Sequence, residues 1–332
     1  MGGEVTPALR PAAIGIEIGG TKLQSAIVAD GGAVLVRRAD AVAPAGGAEA
    51  IRAALSGQLA DLLATAHGTR GAIRAVGIGF GGPVDRARGV VATSFHVGGW
   101  ADFPLAAWVA AEVRAPLGAV PCVLENDSNA AALAEATVGA GRGARVVFYT
   151  NSGSGIGAGL VIAGRLYHCR SGGEMELGHL RLAADGGILD EVASGWAIDR
   201  RVRAEIAGVP SGCLARLAAA THDPPSARLL PAALAAGDAA ASDILAGAAA
   251  PYAHALAHVV QLVNPDVIVL GGGVATIGEA WRAAVAARLT PLVMEPFRPG
   301  PPVRLAALGA DVVPVGAALA ALDDCGRSPD GA

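Results

Sequence analysis

Glu17, Gly19, Gly20, Thr21 and Lys22 lie within the stretch "EIGGTK", between two apolar runs, and Lys22 is the only lysine in a chain whose other basic side chains are arginine. Paired glycines let backbone amides turn toward an anion and approach it closely, and a threonine adds a hydroxyl donor. The same design recurs at Asn151, Ser152, Gly153, Ser154 and Gly155, and again at Gly271, Gly272 and Gly273. Two such loops would clamp a polyphosphate, and the third would receive a nucleoside. A compact ammonium at Lys22 suits a phosphate better than a bulkier planar guanidinium.

Two further stretches carry acid–base and hydrogen-bonding chemistry. In "VLENDSNAAALAEA", Glu125, Asn126 and Asp127 fall where a strand should end and a helix begin. Asp127 could take the proton of a substrate hydroxyl as that oxygen attacks a γ-phosphate. The competing reading is that Asp127 simply caps the helix. In "GGEMELGHLRL", Glu174, Glu176 and His179 crowd a short turn, where carboxylates and an imidazole would grip sugar hydroxyls.

Rival motifs fall away. The Walker A spacing is absent. "GIGFGG" satisfies G-x-G-x-x-G from Gly77 to Gly82, but Pro83, Val84 and Asp85 follow and no helix opens there. "NSGSG" does not fit a serine-hydrolase elbow.

The elements that must position these loops can be read from periodicity. "AIGIEI", "LQSAIVA" and "AVLVRRA" are strand-like, with hairpin breaks at Gly19-Gly20 and Gly31-Gly32. A helix is expected over Ala48 to His67, then a strand in "RAVGIGF". A similar order returns later, with "RVVFYTNSGSGIGAGLVIAGRLY" as strand, glycine loop and strand, and "DVIVLGGGVATIGEAWRAAVAARL" as strand, turn and helix. Alternating strands and helices predict an α/β fold with mixed sheets, built as two similar halves with a cleft between them.

Composition bounds the function. The chain has 332 residues, 53% of them apolar and 16% charged, which suits two ordinary domains with large cores. A net charge of -4, with no arginine stripe interleaved with aromatics, argues against nucleic acid as a partner. Four scattered cysteines suggest neither a disulfide framework nor a self-contained zinc site. The first residues carry no apolar leader run, and the longest uncharged stretch reads as a buried helix, not a membrane span. A cytoplasmic protein is expected.

Taken together the motifs resemble the ROK family (repressors, open reading frames and sugar kinases), within the actin-like ATPase superfamily, from about Ala13 to about Leu322. "GIEIGGTK" is similar to its first phosphate motif, "TNSGSGIGAGLVIAGRLY" to the second, "NPDVIVLGGGV" to its adenosine motif and "ELGH" to its sugar-binding turn. "ENDSNAAALAE" is the most specific match, and "SFHVGGW" resembles the substrate segment. The resemblance implies a two-domain actin-like (ribonuclease H-like) fold. Residues 1–125 and about 311–332 would form the smaller domain, and 126–310 the larger. It implies a glucokinase-like transfer of phosphate from ATP, with Mg²⁺, to a hexose or hexose-like hydroxyl. Asp127 would be the base. Gly81, His96, Asn126, Glu176, His179 and Asp190 would face the sugar, and Glu17, Lys22 and the three glycine loops the nucleotide. A homodimer is implied by the same analogy. A repressor of this family would carry an added winged helix before the first strand, and with that strand starting near Ala13 a repressor is not expected.

The departures are specific. Glu17 stands where the family usually has Asp. The family's cysteine-rich zinc motif after the Gly-His is missing, so no structural zinc is expected. Asp190 aligns where a sugar-binding Glu would be, His96 replaces an Asn, and Gly81 replaces a proline. Changes on the sugar side point to an altered substrate, such as a sugar derivative or cyclitol. The alternative reading is a catalytically degenerate sugar-binding member.

Overall fold

A computed structural model describes residues 10–20, 22–42, 44–66, 70–94, 97–169, 175–183, 186–221 and 224–326. Over the described residues the chain divides into two compact units, one spanning Met1–Ala134, His168–Gly173 and Ala310–Ala332, the other Glu135–Tyr167 and Glu174–Gly309.

The first unit begins with three strands, β1 (Ala12–Ile18), β2 (Lys22–Ala29) and β3 (Val34–Ala41), paired antiparallel. Both faces of β1 and most of β2 are buried, as their nearly continuous apolar runs require, whereas β3 alternates half-buried and exposed side chains before becoming fully exposed at its end. Helix α1 (Gly47–Thr65) follows, burying Ile51, Leu55, Leu59, Leu62 and Leu63, and then β4 (Ile73–Phe80). The short pair β5 (Val84–Asp85) and β6 (Val90–Val91), helix α2 (Leu105–Leu117), β7 (Cys122–Asn126) and helix α3 (Asp127–Val138) complete the run. The sheet order is β3-β2-β1-β4-β7, with β1, β4 and β7 parallel. Register then decides what meets. Ile18 pairs with Phe80, and Phe80 with Asn126, so three strands end level. The residues just past those ends are Gly19, Gly81 and Asp127, at the carboxyl edge where open α/β sheets bind ligands.

The second unit holds β8 (Val146–Ser152), β9 (Ile156–Ile162) and β10 (Arg165–Leu166), then α4 (Leu189–Ala193), α5 (Gly195–Gly208), α6 (Cys213–Ala219), α7 (Leu230–Ala235) and α8 (Ala239–Val263). Strand β11 (Val267–Gly271), α9 (Glu279–Leu289) and β12 (Val303–Leu305) follow. Its sheet order, β10-β9-β8-β11-β12, repeats that of the first sheet: an antiparallel meander, then parallel additions. The degenerate sequence repeat thus corresponds to a repeated topology. Helix α8 carries most of the long uncharged stretch, from Ile244 onward. Asp238 caps it by accepting the Ala241 N–H at 2.7 Å, and Asn264 ends it in the left-handed conformation at φ 46. Among the described residues no helix is long and apolar enough to cross a membrane.

The last helix, α10 (Val312–Gly326), belongs to the first unit and explains where the units divide. A Cβ added at Gly15 would strike the Pro314 carbonyl, and one at Gly77 the Ala317 carbonyl. On its other side, Gly316 stands against the Ala130 carbonyl of α3. Glycines therefore let α10 lie between β1, β4 and α3 at backbone contact. The first turns of α3, as far as Ala134, fall in the first unit with α10.

Candidate functional site

In the first unit the three strand ends bring Gly19, Gly81 and Asp127 together. The Gly81 N–H donates to the Ile18 carbonyl at 2.9 Å. A Cβ on Gly81 would stand 3.2 Å from Asp127 Oδ2 and 3.5 Å from the Gly19 Cα. Below them Phe80 packs edge-on to the buried Trp100 with ring centres 5.3 Å apart, anchoring the "VGGW" segment beneath the end of β4.

The helix-capping role that competed for Asp127 belongs to its neighbour. Asn126 Oδ1 accepts the Ser128 and Asn129 N–H groups at 2.9 and 3.2 Å, while its Nδ2 donates to the Gly82 carbonyl at 3.3 Å. Asn126, expected to hold sugar, has its side-chain amide engaged in fixing the strand-to-helix corner. Asp127 is the first residue of the helix, half-buried, and its Oδ1 accepts the Ser128 hydroxyl at 3.2 Å.

The "EIGGTK" turn differs in detail from the expectation. The Gly19 N–H donates to the Lys22 carbonyl at 2.9 Å and closes the hairpin, so this amide does not point outward to a phosphate. Lys22 Nζ lies 2.7 Å from Glu17 Oε2 and 2.6 Å from the Ala310 carbonyl, tying β2 to the entry of α10. Gly20 is half-buried beside it, and Thr21 lies outside the described residues, as do His96 and Glu174. Burial pushes the Glu17 carboxyl above its ordinary range, the Lys22 ammonium pulls it back in part, and the nearby Asp311 charge adds to the rise. Asp311, which the sequence offered no reason to single out, accepts from Gln24 Nε2 at 2.7 Å and pairs with Arg37 at 3.0 Å.

In the second unit the register sets Gly271 opposite Asn151, so the adenosine-type turn lies beside the glycine hairpin. Gly272, at φ 78, is pressed so closely on the Ser152 backbone that an added Cβ would lie 2.5 Å from its carbonyl oxygen. Gly273 opens the short helical turn that follows. Gly153 accepts the Gly195 N–H at 2.8 Å, and its own N–H closes the hairpin on the Gly155 carbonyl at 2.8 Å. Ser154 stands half-buried at the hairpin tip. Ser152, expected to donate to phosphate, is buried with its hydroxyl donating to the Ala193 carbonyl at 3.1 Å. Asp190, expected at the sugar, reaches the same hairpin: its Oδ1 accepts the Ile156 N–H, directly after Gly155. Glu176 and His179 stay exposed, with His179 Nδ1 3.5 Å from Glu176 Oε2. Among the described residues, no group of three or more His, Cys, Asp or Glu side chains is placed to hold a metal ion.

Parallel strand ends carrying a glycine turn and a helix-leading aspartate in one unit, and a second glycine hairpin beside a third glycine turn in the other, define an actin-like ATPase fold of the sugar-kinase type. The chain belongs to the ROK family, whose sequence profile matches residues 13–324. It is similar to the glucokinase of Streptomyces coelicolor, 31% identical over 330 residues that cover 96% of this chain and 98% of the relative. The glucokinase of Thermotoga maritima is 30% identical over 294 residues, covering 86% and 89%. A ROK family glucokinase from Streptomyces griseus, solved in complex with glucose and AMPPNP, matches with a TM-score of 0.81 at 30% identity, covering 94% of this chain and 99% of that one.

Proposed function

We propose that this ROK sugar kinase transfers the γ-phosphate of ATP to a hydroxyl of a hexose, glucose first, with Asp127 as the general base. The observation that carries the assignment is the level ending of β1, β4 and β7, which sets Gly19, Gly81 and Asp127 just past one sheet edge with Asp127 Oδ2 3.2 Å from the place of a Gly81 Cβ, while Asn126 takes over the helix cap. A carboxylate so placed accepts the hydroxyl proton as that oxygen becomes a nucleophile, and positioning of the two reactants supplies the rest of the acceleration.

Asp190 now supports the nucleotide side. Its carboxylate holds the Ile156 amide and so the form of the hairpin from Gly153 to Gly155. An aspartate in place of a longer glutamate there is then a feature of the hairpin, which weakens the case for a cyclitol and favours an ordinary hexose. Glu176 and His179 are the exposed hydrogen-bonding pair left for sugar hydroxyls. Glu17 fits a Mg²⁺ that arrives with ATP: its Oε2 is held by Lys22, and its Oε1 lies toward the Gly19 turn, 3.9 Å from the place of a Gly19 Cβ. Magnesium usually keeps most of its shell as water and phosphate oxygen and needs only one or two carboxylates. Bound there, it would neutralise charge developing on the phosphates.

A cytoplasmic homodimer completes this reading and rests on the family resemblance; sedimentation velocity tests the dimer. The experiment for substrate is coupled ADP release against glucose, mannose, N-acetylmannosamine and a cyclitol. Glucose is expected to give the highest kcat/KM. ADP release with none of the hexoses would reject the assignment.

A further inference from the structure

We propose that His168 is a positioning residue for Asp127, acting through the buried carboxylate of Glu125; the proposal rests on the reading of Asp127 as base. Glu125 is the residue before the Asn126–Asp127 corner, and its side chain is 2% exposed. A carboxylate withdrawn from water needs donors on both oxygens. Oε1 accepts the Asn126 N–H at 3.0 Å and Asn129 Nδ2 at 3.0 Å. It therefore grips the last residue of β7 and a side chain one turn into α3, and so fixes the angle at which the helix leaves the strand. Asp127 is the first residue of that helix, between the two gripped points.

Both Oε1 donors are local, so Oε2 decides how the carboxylate is rotated. Two distant groups face it. Arg86 Nε is 3.4 Å away, buried and without hydrogen-bond alignment, and the Arg86 Nη2 is drawn to Asp324 of α10 at 3.0 Å. His168 Nε2 is 2.7 Å away. Because an ionised carboxylate only accepts, the imidazole donates, and this is the short bond that holds Oε2. His168 comes from the chain just after β10, 43 residues beyond Glu125, and its ring is 34% exposed. It is the solvent-facing end of a relay whose other end is the catalytic corner. Further along the same segment the chain enters the Glu176–His179 turn.

The test compares His168→Ala, His168→Asn and His168→Gln with Asp127→Asn, measuring kcat, KM for glucose and ATP, and thermal melting on full-length protein. A Gln amide nitrogen reaches the place of Nε2, whereas the Asn amide is one methylene too short. The expected result is a kcat lowered about 10- to 100-fold in His168→Ala and His168→Asn, the KM for ATP unchanged within about twofold, and most of kcat restored in His168→Gln. A structural role alone would lower the melting temperature and leave kcat of the folded enzyme unchanged, overturning the proposal. Should His168→Ala fail to fold, equal kcat in His168→Asn and His168→Gln overturns it instead. An inactive Asp127→Asn beside an unimpaired His168→Ala rejects the role of His168 alone. An active Asp127→Asn rejects the reading of Asp127 on which it rests.

Discussion

Replacing Gly316 by alanine should damage both stability and turnover, although the residue is buried in α10 against the backbone of α3. An added Cβ would collide with the Ala130 carbonyl and stand 3.1 Å from the Ala130 Cα, all of it main chain that no side-chain rotation can clear. Helix α10 cannot retreat, because its Pro314 and Ala317 carbonyls already rest on Gly15 of β1 and Gly77 of β4. The strain must move α3, and α3 begins at Asp127. Overpacking of this kind costs about 1–3 kcal/mol. A shift of roughly 1 Å in a catalytic group costs about 100-fold in rate. Gly316→Ala should therefore show a lower denaturant midpoint by urea unfolding and a kcat reduced about 100-fold under saturating glucose and ATP. Gly326→Ala, at the end of the same helix with nothing within 4 Å of its Cβ, is the matched control and should behave as wild type. A Gly316→Ala enzyme with unchanged midpoint and unchanged kcat would refute the account of how α10 seats α3.

Other perturbations separate roles that the sequence merged. Asp190→Ala removes a charge-assisted bond worth about 1.5–3 kcal/mol from the Gly153–Gly155 hairpin, so on the proposed nucleotide role KM for ATP should rise while KM for glucose holds; steady-state kinetics showing the reverse would favour the sugar role expected for Asp190. Glu17 has its carboxyl raised in the folded state, so its contribution to stability is present below the ordinary value of 4.5 and is lost as pH rises through the raised one. The melting temperature of wild type minus that of Glu17→Gln should thus fall as pH rises above 4.5, and a difference that grows would contradict the burial argument. Burial pushes the Cys122 thiol up to about 11, so at pH 8 only about one molecule in a thousand carries the thiolate there. Mass mapping after brief alkylation should find Cys122 unmodified, and rapid labelling would show the strand edge to be open.

Much of the fold was legible because its signals are local. The apolar runs of β1 and β4, the glycine breaks of the hairpins and the helical spacing of Ile51 to Leu63 each report their own element. The candidate base was legible for the same reason, since "END" falls at a strand-to-helix junction. What could not be read was which side chain at that junction serves which atom. Asn, Asp and Ser share a preference for the cap, and only the folded geometry assigns it to Asn126. The Lys22 link to Ala310, the Asp311 link to Gln24 and the Glu125 link to His168 join residues remote in sequence, where no periodicity points. Ser152 shows a further limit. A serine in a glycine hairpin suggests a phosphate donor, but strand alternation turns this one inward to the Ala193 carbonyl.

The central claim is that Asp127 removes the proton from the attacking sugar hydroxyl. The most direct measurement is single-turnover phosphoryl transfer by Asp127→Asn, paired with calorimetric titration of glucose into the same protein. The account predicts transfer slowed by about 100- to 10,000-fold with glucose affinity retained within a few-fold. Transfer at the wild-type rate by a protein that binds glucose normally would contradict it.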